Sequence, residues 1–231
     1  MPNIAIIPAR GGSKRIPRKN IKSFLGKPII AYSIETALKS NVFDEVMVST
    51  DDEEIAKIAR EYGATVPFFR SEKTSNDYAT TADVIEEVLL SYKEKGIEFD
   101  LACCIYPTAP LISSEKLIAS FNLLNSQSFD TVFPVVQYSY PIQRALKVDE
   151  QKKMSLFSEA NKNSRSQDLE ESYHDAGQFY SFSVTDFLKD KELWTKNTGV
   201  IVLDELEVQD IDTITDWKLA ELKYGLIQST K

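Results

Sequence analysis

Short apolar runs alternate with longer segments of helical periodicity along most of this chain. The predicted strands are residues 3–9, 45–49, 64–69, 100–106 and 131–136, and the predicted helices are residues 28–40, 51–62, 80–95 and 113–125. Two parallel strands need a crossover connection between them, and that connection is usually a helix. The order therefore predicts an α/β protein with a mainly parallel mixed sheet and helices on both faces.

The alternation stops between about residues 137 and 168, where the sequence is polar and weakly periodic. This stretch is interpreted as a hairpin or an insertion. Parallel strands are expected to resume at residues 178–184 and 199–203, before a last helix from about 215 to 226. The chain is therefore interpreted as one domain, residues 1–231, with an excursion at about 137–175.

Composition excludes several classes of protein. With 42 % apolar and 27 % charged residues, the chain is too apolar to be disordered. Its longest apolar runs are far shorter than the roughly 20 residues of a membrane-spanning helix, so no membrane partner is expected. Cys103 and Cys104 are neighbours that would point to opposite faces of a strand, which argues against a disulfide framework. Without a visible leader sequence, a cytoplasmic location is expected.

Positive charge is concentrated at the start of the chain. Residues 1–34 contain seven basic side chains and no acidic one, although the whole chain has a net charge of −8. A cationic segment on an acidic protein predicts a local site for a small anion such as a nucleotide. Nucleic acid is not an expected partner, because most of the surface would repel it.

The loop after the first predicted strand is suited to binding phosphate. Ligands of open α/β sheets bind at the carboxyl ends of the strands, which is where this loop begins. Gly11 and Gly12 lack a Cβ and allow backbone N–H groups to approach phosphate oxygens closely. Arg10 and Lys19 can neutralise phosphate charge. The loop has neither the spacing of a Walker motif nor that of the dinucleotide fingerprint.

Two aspartates near the end of the chain are candidate metal ligands. Asp210 and Asp212 are two residues apart, so in an extended segment their carboxylates would share one face. Mg²⁺ prefers such oxygen ligands together with phosphate and water. The same pattern is also typical of a solvated turn or of a helix cap, and both interpretations remain open from the residues alone. Asp51 or Asp52 is expected to cap the helix that follows it.

These motifs together resemble a known family. The segment IPARGGSKRIPRKN at 7–20 closely resembles the opening motif of the cytidylyltransferases that activate nonulosonic (sialic-acid-like) sugars. STDD at 49–52, YPTAP at 106–110, RSQDL at 165–169 and QDID at 209–212 follow in the order of that family. The resemblance implies a Rossmann-like, GT-A-like nucleotidyltransferase fold whose excursion mediates dimerisation. It further implies CTP and a nonulosonic acid as substrates, Mg²⁺ as cofactor, and a homodimer.

The resemblance also implies roles for individual residues. The residues expected to bind the nucleotide are Ala9, Arg10, Gly11, Gly12, Ser13, Lys19, Asn20, Arg70, Asp77 and Thr81. Those expected to bind the sugar are Tyr106, Arg165, Gln167, Asp168 and Gln178. Asp210 and Asp212 are expected to hold the metal, and the catalytic residues are expected to be Arg10, Lys19 and Asp212.

Two positions concern the choice of sugar. Tyr106 stands where enzymes for the common sialic acid have glutamine, and Ala176 stands where they have asparagine. Both resemble the pseudaminic acid branch, which implies synthesis of CMP-pseudaminic acid for surface glycan or flagellin glycosylation. The alternatives are synthesis of CMP-N-acetylneuraminate or CMP-legionaminate, a 3-deoxy-manno-octulosonate enzyme, and a catalytically silent nucleotide-binding regulator. His174, the one histidine, is not assigned to catalysis.

Overall fold

A seven-stranded sheet organises residues 2–229, which are the residues described by the computed structural model. Met1, Thr230 and Lys231 belong to the predicted domain but lie outside the described residues. The strands are β1 (Asn3–Pro8), β2 (Ser23–Phe24), β3 (Lys27–Pro28), β4 (Glu45–Ser49), β5 (Leu101–Ile105), β6 (Thr131–Gln137), β7 (Leu146–Val148), β8 (Met154–Leu156), β9 (Tyr173–Asp175), β10 (Phe179–Ser183) and β11 (Thr198–Leu203). The helices are α1 (Ile29–Ser40), α2 (Glu53–Glu61), α3 (Glu72–Ser75), α4 (Thr81–Glu94), α5 (Ser114–Gln127), α6 (Val184–Asp190) and α7 (Ile214–Ser229).

The strand order of the main sheet is β11-β6-β10-β5-β1-β4, and β9 also pairs with β6. β1 is parallel to β4 and β5, and β11 is parallel to β6, which confirms the mainly parallel mixed sheet. The expectation that β10 would be parallel is wrong, because β10 runs antiparallel to both β5 and β6. The preceding strand, β9, is also antiparallel to β6. Because only three residues separate β9 from β10, the chain does not reverse between them and β10 has the same direction as β9.

Apolar layers cover both faces of the sheet, as predicted. On one face, strand residues such as Ile7 and Val48 form a buried cluster with residues of α1, α2 and α5. On the other face, Ile4 and Ile6 are buried together with residues of α4 and α6. The alternation along β1 follows from the two-residue repeat of a strand, which sends successive side chains to opposite faces. Cys103 and Cys104 divide between the two clusters in the same way and are both free thiols.

The predicted strand at 64–69 is absent. Only Thr65 makes a parallel bridge, to Met47 of β4. Pro67 has no backbone N–H to donate, so a ladder starting at Thr65 cannot extend through it. The helix before this segment does end as expected, since Gly63 adopts a positive φ of 94° directly after α2 and its last turn.

The excursion contains a small hairpin, as expected, formed by β7 and β8. Four large apolar side chains of the hairpin region are exposed: Leu146, Val148, Met154 and Phe157. The excursion returns to the main sheet through β9. A dimer contact made by this region stays a prediction. Within residues 2–229, each helix is too short or too polar to cross a membrane.

Candidate active site

The basic loop leaves the carboxyl end of β1 and is anchored to the start of α2. The Arg18 guanidinium donates hydrogen bonds to both carboxylate oxygens of Asp52 and to Glu54. Asp52 is also the N-cap of α2, where one of its oxygens accepts from the backbone N–H groups of Glu54 and Ile55. The bond from Arg18 is the main reason that the pKa of Asp52 falls to about 2. Asn20, which is buried, closes the loop on itself by donating to the carbonyl of Arg10 at 3.0 Å.

The two glycines of the loop have different surroundings. The N–H of Gly11 donates to Asp51 Oδ1 at 3.0 Å, and a Cβ on Gly11 would lie 2.8 Å from Asp52 Oδ2. A Cβ on Gly12 would have no described atom within 4 Å. Of the two aspartates considered as helix caps, Asp52 caps α2, whereas Asp51 accepts the hydrogen bond from the loop. Gly11 is needed for packing against α2, whereas Gly12 faces open space.

The cations at the front of the loop are paired with Asp77. Arg10 donates to Asp77 Oδ1 at 2.9 Å and to the carbonyl of Asn76 at 3.0 Å. Lys14 donates to the other oxygen of Asp77, and this bond is the largest cause of the lowered pKa of Asp77. Asp77 therefore lies beside the loop, as its expected role in nucleotide binding requires. Lys14 was not singled out from the sequence, although it belongs to the same cluster of positive charge.

The cations at the back of the loop contact the two candidate metal ligands. Lys19 Nζ lies 2.7 Å from the carbonyl oxygen of Ile211 and 3.8 Å from Asp212 Oδ1. Arg15, another residue that sequence reasoning passed over, pairs with Asp212 Oδ2 at 2.6 Å. Burial lowers the pKa of Lys19, and the nearby carboxylates partly offset this effect. Burial and the neighbouring Asp212 raise the pKa of Asp210. Segments 192 residues apart thus meet in one site.

Asp210 and Asp212 are the candidate ligands for a divalent metal. Ile211 between them is 1 % exposed and packs in an apolar cluster, so the two aspartates flank an anchored residue. Asp212 is not the cap of α7, because Thr213 and Asp216 cap that helix reciprocally. In residues 2–229, no three His, Cys, Asp or Glu side chains are grouped as metal ligands. Two carboxylates suit Mg²⁺, which completes its shell with phosphate and water oxygens.

A cavity of about 400 Å³ lies between the basic loop and the turn after β5. Its lining includes Arg10, Lys19 and Asn20 from the loop, and Tyr106 from the turn. The Tyr106 hydroxyl lies 3.3 Å from Thr81 Oγ1 at the start of α4, and burial raises the pKa of Tyr106. The cavity therefore has cations on one wall and an aromatic hydroxyl on the other. This combination suits a phosphorylated ligand with a polar organic part.

Arg70 lies close to this site but is held by the end of β4. Its guanidinium donates to Ser49 Oγ at 3.1 Å and to the Ser49 carbonyl at 2.7 Å. Burial lowers the pKa of Arg70, and the negative charge of Asp51 is the largest effect that opposes this shift. Ala9 and Ser13 belong to the loop itself: the N–H of Ala9 also donates to the Ser49 carbonyl, and Ser13 lines the loop cavity. The expected nucleotide-binding residues are thus close to one another.

The expected sugar-binding residues are not all brought together within one chain. Gln178 is buried near Tyr106, and its side-chain amide donates to the carbonyl of Glu207. Arg165 forms a two-pronged pair with Asp168, at 2.7 and 3.1 Å, on the exposed excursion. Gln167 lines a different cavity, of about 300 Å³, within the excursion. Among the described residues, these three excursion side chains are not part of the loop cavity, and sugar binding by them stays a prediction.

His174 shares a cavity with Asp210 and not with the basic loop. Its Nδ1 is 2.9 Å from the carbonyl of Asp175, and its ring centroid is 4.8 Å from that of Tyr138. Together with Asp210 and Lys223 it lines a cavity of about 340 Å³. The histidine therefore borders the site without a contact to the loop cations in the part of the chain that the structure describes.

Known proteins resemble this chain in sequence and in fold. The family model for cytidylyltransferases matches residues 4–215. Pseudaminic acid cytidylyltransferase of Campylobacter jejuni is 44 % identical over 97 % of each chain, and CMP-N,N'-diacetyllegionaminic acid synthase of Legionella pneumophila is 31 % identical over 94 % of each. The solved structure of CMP:2-keto-3-deoxy-manno-octonic acid synthetase complexed with CTP has the same fold, with a TM-score of 0.67 at 18 % identity, and the match covers 99 % of this chain and 100 % of that one. The resemblance inferred from the motifs is confirmed, and the chain belongs to the cytidylyltransferase family.

Proposed function

We propose that this protein transfers the CMP group of CTP to a nonulosonic acid, with pseudaminic acid as its acceptor, and releases pyrophosphate. The observation that carries the proposal is the meeting of the basic loop with the aspartates, through Lys19 with Ile211 at 2.7 Å and Arg15 with Asp212 at 2.6 Å. Attack on a nucleoside triphosphate requires cations for the phosphates and carboxylates for a divalent metal. The 44 % identity to a pseudaminic acid enzyme, against 31 % to a legionaminic acid enzyme, favours pseudaminic acid.

In this mechanism the loop residues bind and orient the triphosphate of CTP. The phosphate oxygens replace carboxylates as the partners of two arginines. The ion pair of Arg10 with Asp77 and that of Arg15 with Asp212 break, and both guanidinium groups bind phosphate instead. The backbone at Gly12, which faces open space, comes close to a phosphate oxygen. Asn20 keeps the loop in shape through its bond to the Arg10 carbonyl. Binding therefore exchanges one set of charge pairs for another within a prepared site.

Asp210 and Asp212 are the residues that would hold Mg²⁺, which when bound polarises the phosphate oxygens and offsets their charge. The anomeric oxygen of the sugar forms a bond to the α-phosphorus while the bond from this phosphorus to the α,β-bridging oxygen breaks. The electron pair leaves with pyrophosphate, and the hydroxyl proton passes to water. Lys19 and Arg10 neutralise charge on the leaving group, so positioning and electrostatics supply most of the catalysis.

The sugar lies beside Tyr106 and Gln178 in the proposed complex. Arg165, Gln167 and Asp168 would reach it from a neighbouring subunit, because within one chain they are not part of the loop cavity. A homodimer formed through the excursion is favoured by its exposed apolar side chains. A cytoplasmic location, where CTP is available, is part of the same proposal.

The test is a panel of acceptors with CTP and Mg²⁺: pseudaminic, legionaminic, N-acetylneuraminic and 3-deoxy-manno-octulosonic acids. Pyrophosphate release and the mass of the CMP-sugar are measured, with reactions lacking sugar as the control. We expect kcat/KM to be highest for pseudaminic acid by about 10-fold or more, the factor that corresponds to about 1.4 kcal/mol of transition-state binding. Binding of CTP without turnover of any sugar would contradict the proposal and favour a silent regulator.

A further inference from the structure

The segment that leads to Asp210 is held by side chains from distant parts of the chain. Residues 205–211 contain one turn of 3-10 helix, Glu205–Glu207, followed by irregular backbone. Backbone carbonyls in such a segment need partners from elsewhere when they are shielded from water. Three side chains from outside the segment donate to four of these carbonyls: Lys223 to Glu205 and Val208, Gln178 to Glu207, and Lys19 to Ile211.

Lys223 makes the most extensive of these contacts. It lies on α7, and its ammonium is 2.9 Å from the carbonyl oxygen of Glu205 and 2.6 Å from that of Val208. One ammonium has three N–H donors, so it can bond both carbonyls at once and fix the distance between them. Val208 is itself buried in an apolar cluster with residues of β6 and β11. The backbone is therefore fixed two residues before Asp210.

We propose that Lys223 is a positioning residue, which holds the backbone at Glu205 and Val208 and thereby fixes the Asp210 carboxylate opposite Lys19. The inference rests on the proposed function, since the position of Asp210 matters for holding a metal beside CTP. Side chains that orient metal ligands from behind typically change metal affinity or activity by 10- to 100-fold when they are removed. Lys223 acts on the backbone of the ligand-bearing segment rather than on the ligand itself.

A direct role in substrate binding is the competing explanation. Lys223 also lines the cavity of about 340 Å³ that contains Asp210 and His174, so a cation there could meet an anionic ligand. Two of its donors are, however, already directed at backbone carbonyls. The two explanations differ in what a substitution changes: metal affinity and the order of residues 205–212 in one case, the KM of the sugar in the other.

The test compares Lys223→Met and Lys223→Arg with Lys218→Met, a matched control at an exposed lysine of the same helix. Mn²⁺ binding in the presence of CTP is titrated by electron paramagnetic resonance, and amide hydrogen exchange is followed along the chain. In Lys223→Met we expect Mn²⁺ affinity to fall about 10- to 100-fold and exchange to rise within residues 205–212. The arginine variant should recover most of both losses, since a guanidinium can also donate to two carbonyls. Lys218→Met should behave as wild type.

Three results would overturn the proposal: wild-type Mn²⁺ affinity with wild-type exchange in Lys223→Met, a rise in sugar KM alone, or a rise in exchange across the whole sheet. The last would identify an ordinary contribution to folding. If the wild-type protein failed to bind Mn²⁺ with CTP, the proposed function would fail instead. The exchange of residues 205–212 would then still decide whether Lys223 orders this segment.

Discussion

The basic loop and the excursion are both polar and rich in charge, but the side-chain contacts that hold them differ in how far they reach along the sequence. Side chains of the loop reach partners far along the sequence: Arg18 bonds Asp52, 34 residues away, and Lys19 bonds Ile211, 192 residues away. In the excursion, Arg165 bonds Asp168 three residues away, and the strands of the hairpin pair with each other. Long-range contacts thus fix the loop to α2 and to the aspartate segment. Local contacts shape the hairpin and the turn around Arg165, and the end of the excursion joins the sheet where β9 pairs with β6.

This difference has a functional consequence. In the proposed function the loop is already ordered before the nucleotide arrives, which reduces the cost of ordering it on binding. The excursion, by contrast, presents exposed apolar and charged side chains whose partners, in the proposed dimer, come from a second subunit. We therefore expect substitutions at the loop and its aspartates to act on CTP and turnover. Those in the excursion should act on the sugar.

The largest effect is expected from Asp212→Asn. It removes one of two anionic oxygen ligands from the proposed metal site, and turnover should fall by more than about 100-fold. The fold should persist, because Arg15 is 70 % exposed and Asp212 36 % exposed in their pair, and pairs near the surface contribute roughly 0–1 kcal/mol. Steady-state pyrophosphate release at saturating Mg²⁺ measures turnover, and thermal melting measures whether the fold persists. Near-normal turnover would remove Asp212 from the site.

Arg165→Ala is the corresponding test of the excursion. Loss of a charge-assisted hydrogen bond of about 1.5–3 kcal/mol should raise the KM of the sugar about 10- to 100-fold and leave the KM of CTP unchanged. Lys162→Ala, at another exposed cation of the excursion, is the matched control. A change confined to the KM of CTP would assign Arg165 to the nucleotide and abolish the contrast between the two regions.

The two glycines separate packing from binding within the loop. Gly11→Ala brings a Cβ against the helix-capping Asp52, so it should cost about 1–3 kcal/mol, or several degrees in Tm. Gly12→Ala has room for its methyl group and should leave Tm unchanged while weakening CTP binding. Calorimetric melting and CTP titration of both variants provide the comparison. Equal Tm values for the two would show that the loop does not pack tightly on α2.

The smallest effect concerns pH. Arg18 lowers the pKa of Asp52 to about 2, below its ordinary value of 3.8, so the ionised form stabilises the folded protein. This contribution is present above about pH 4 and is lost as pH falls towards 2. Denaturant unfolding measures the free energy of unfolding at pH 4 and at pH 2. Between these values the free energy of unfolding of Asp52→Asn should fall by about 1–2 kcal/mol less than that of the wild type. Glu53→Gln, at an exposed carboxylate of the same helix, should keep the wild-type slope.

Local patterns are sufficient to predict most helices and strands, because apolar periodicity acts over a few positions of the chain. They were insufficient where the outcome depends on direction or on distant partners. An apolar run has the same pattern in a parallel or an antiparallel strand, so β10 was predicted with the wrong direction. The apolar pattern at 64–69 predicts a strand, but Pro67 has no backbone N–H to donate and the strand does not form.

The same limit applies to the site. Glycines, cations and the aspartate pair were recognisable as types of residue suited to phosphate and metal. Their pairing was not, since the contact of Arg10 with Asp77 spans 67 residues and that of Lys19 with Ile211 spans 192. The proposed role of Lys223 has no signal in the sequence, because a lysine on a final helix is usually solvated and its two carbonyl partners lie in a segment without a predicted element.

The central claim is that the basic loop and the aspartate pair serve one metal–nucleotide complex. Calorimetric titration of CTP with and without Mg²⁺, in wild type and in Asp212→Asn, tests it most directly. We expect Mg²⁺ to tighten CTP binding by wild type about 10-fold or more, and this gain to disappear in the variant while metal-free binding is kept. An equal gain from Mg²⁺ in both proteins would contradict the claim.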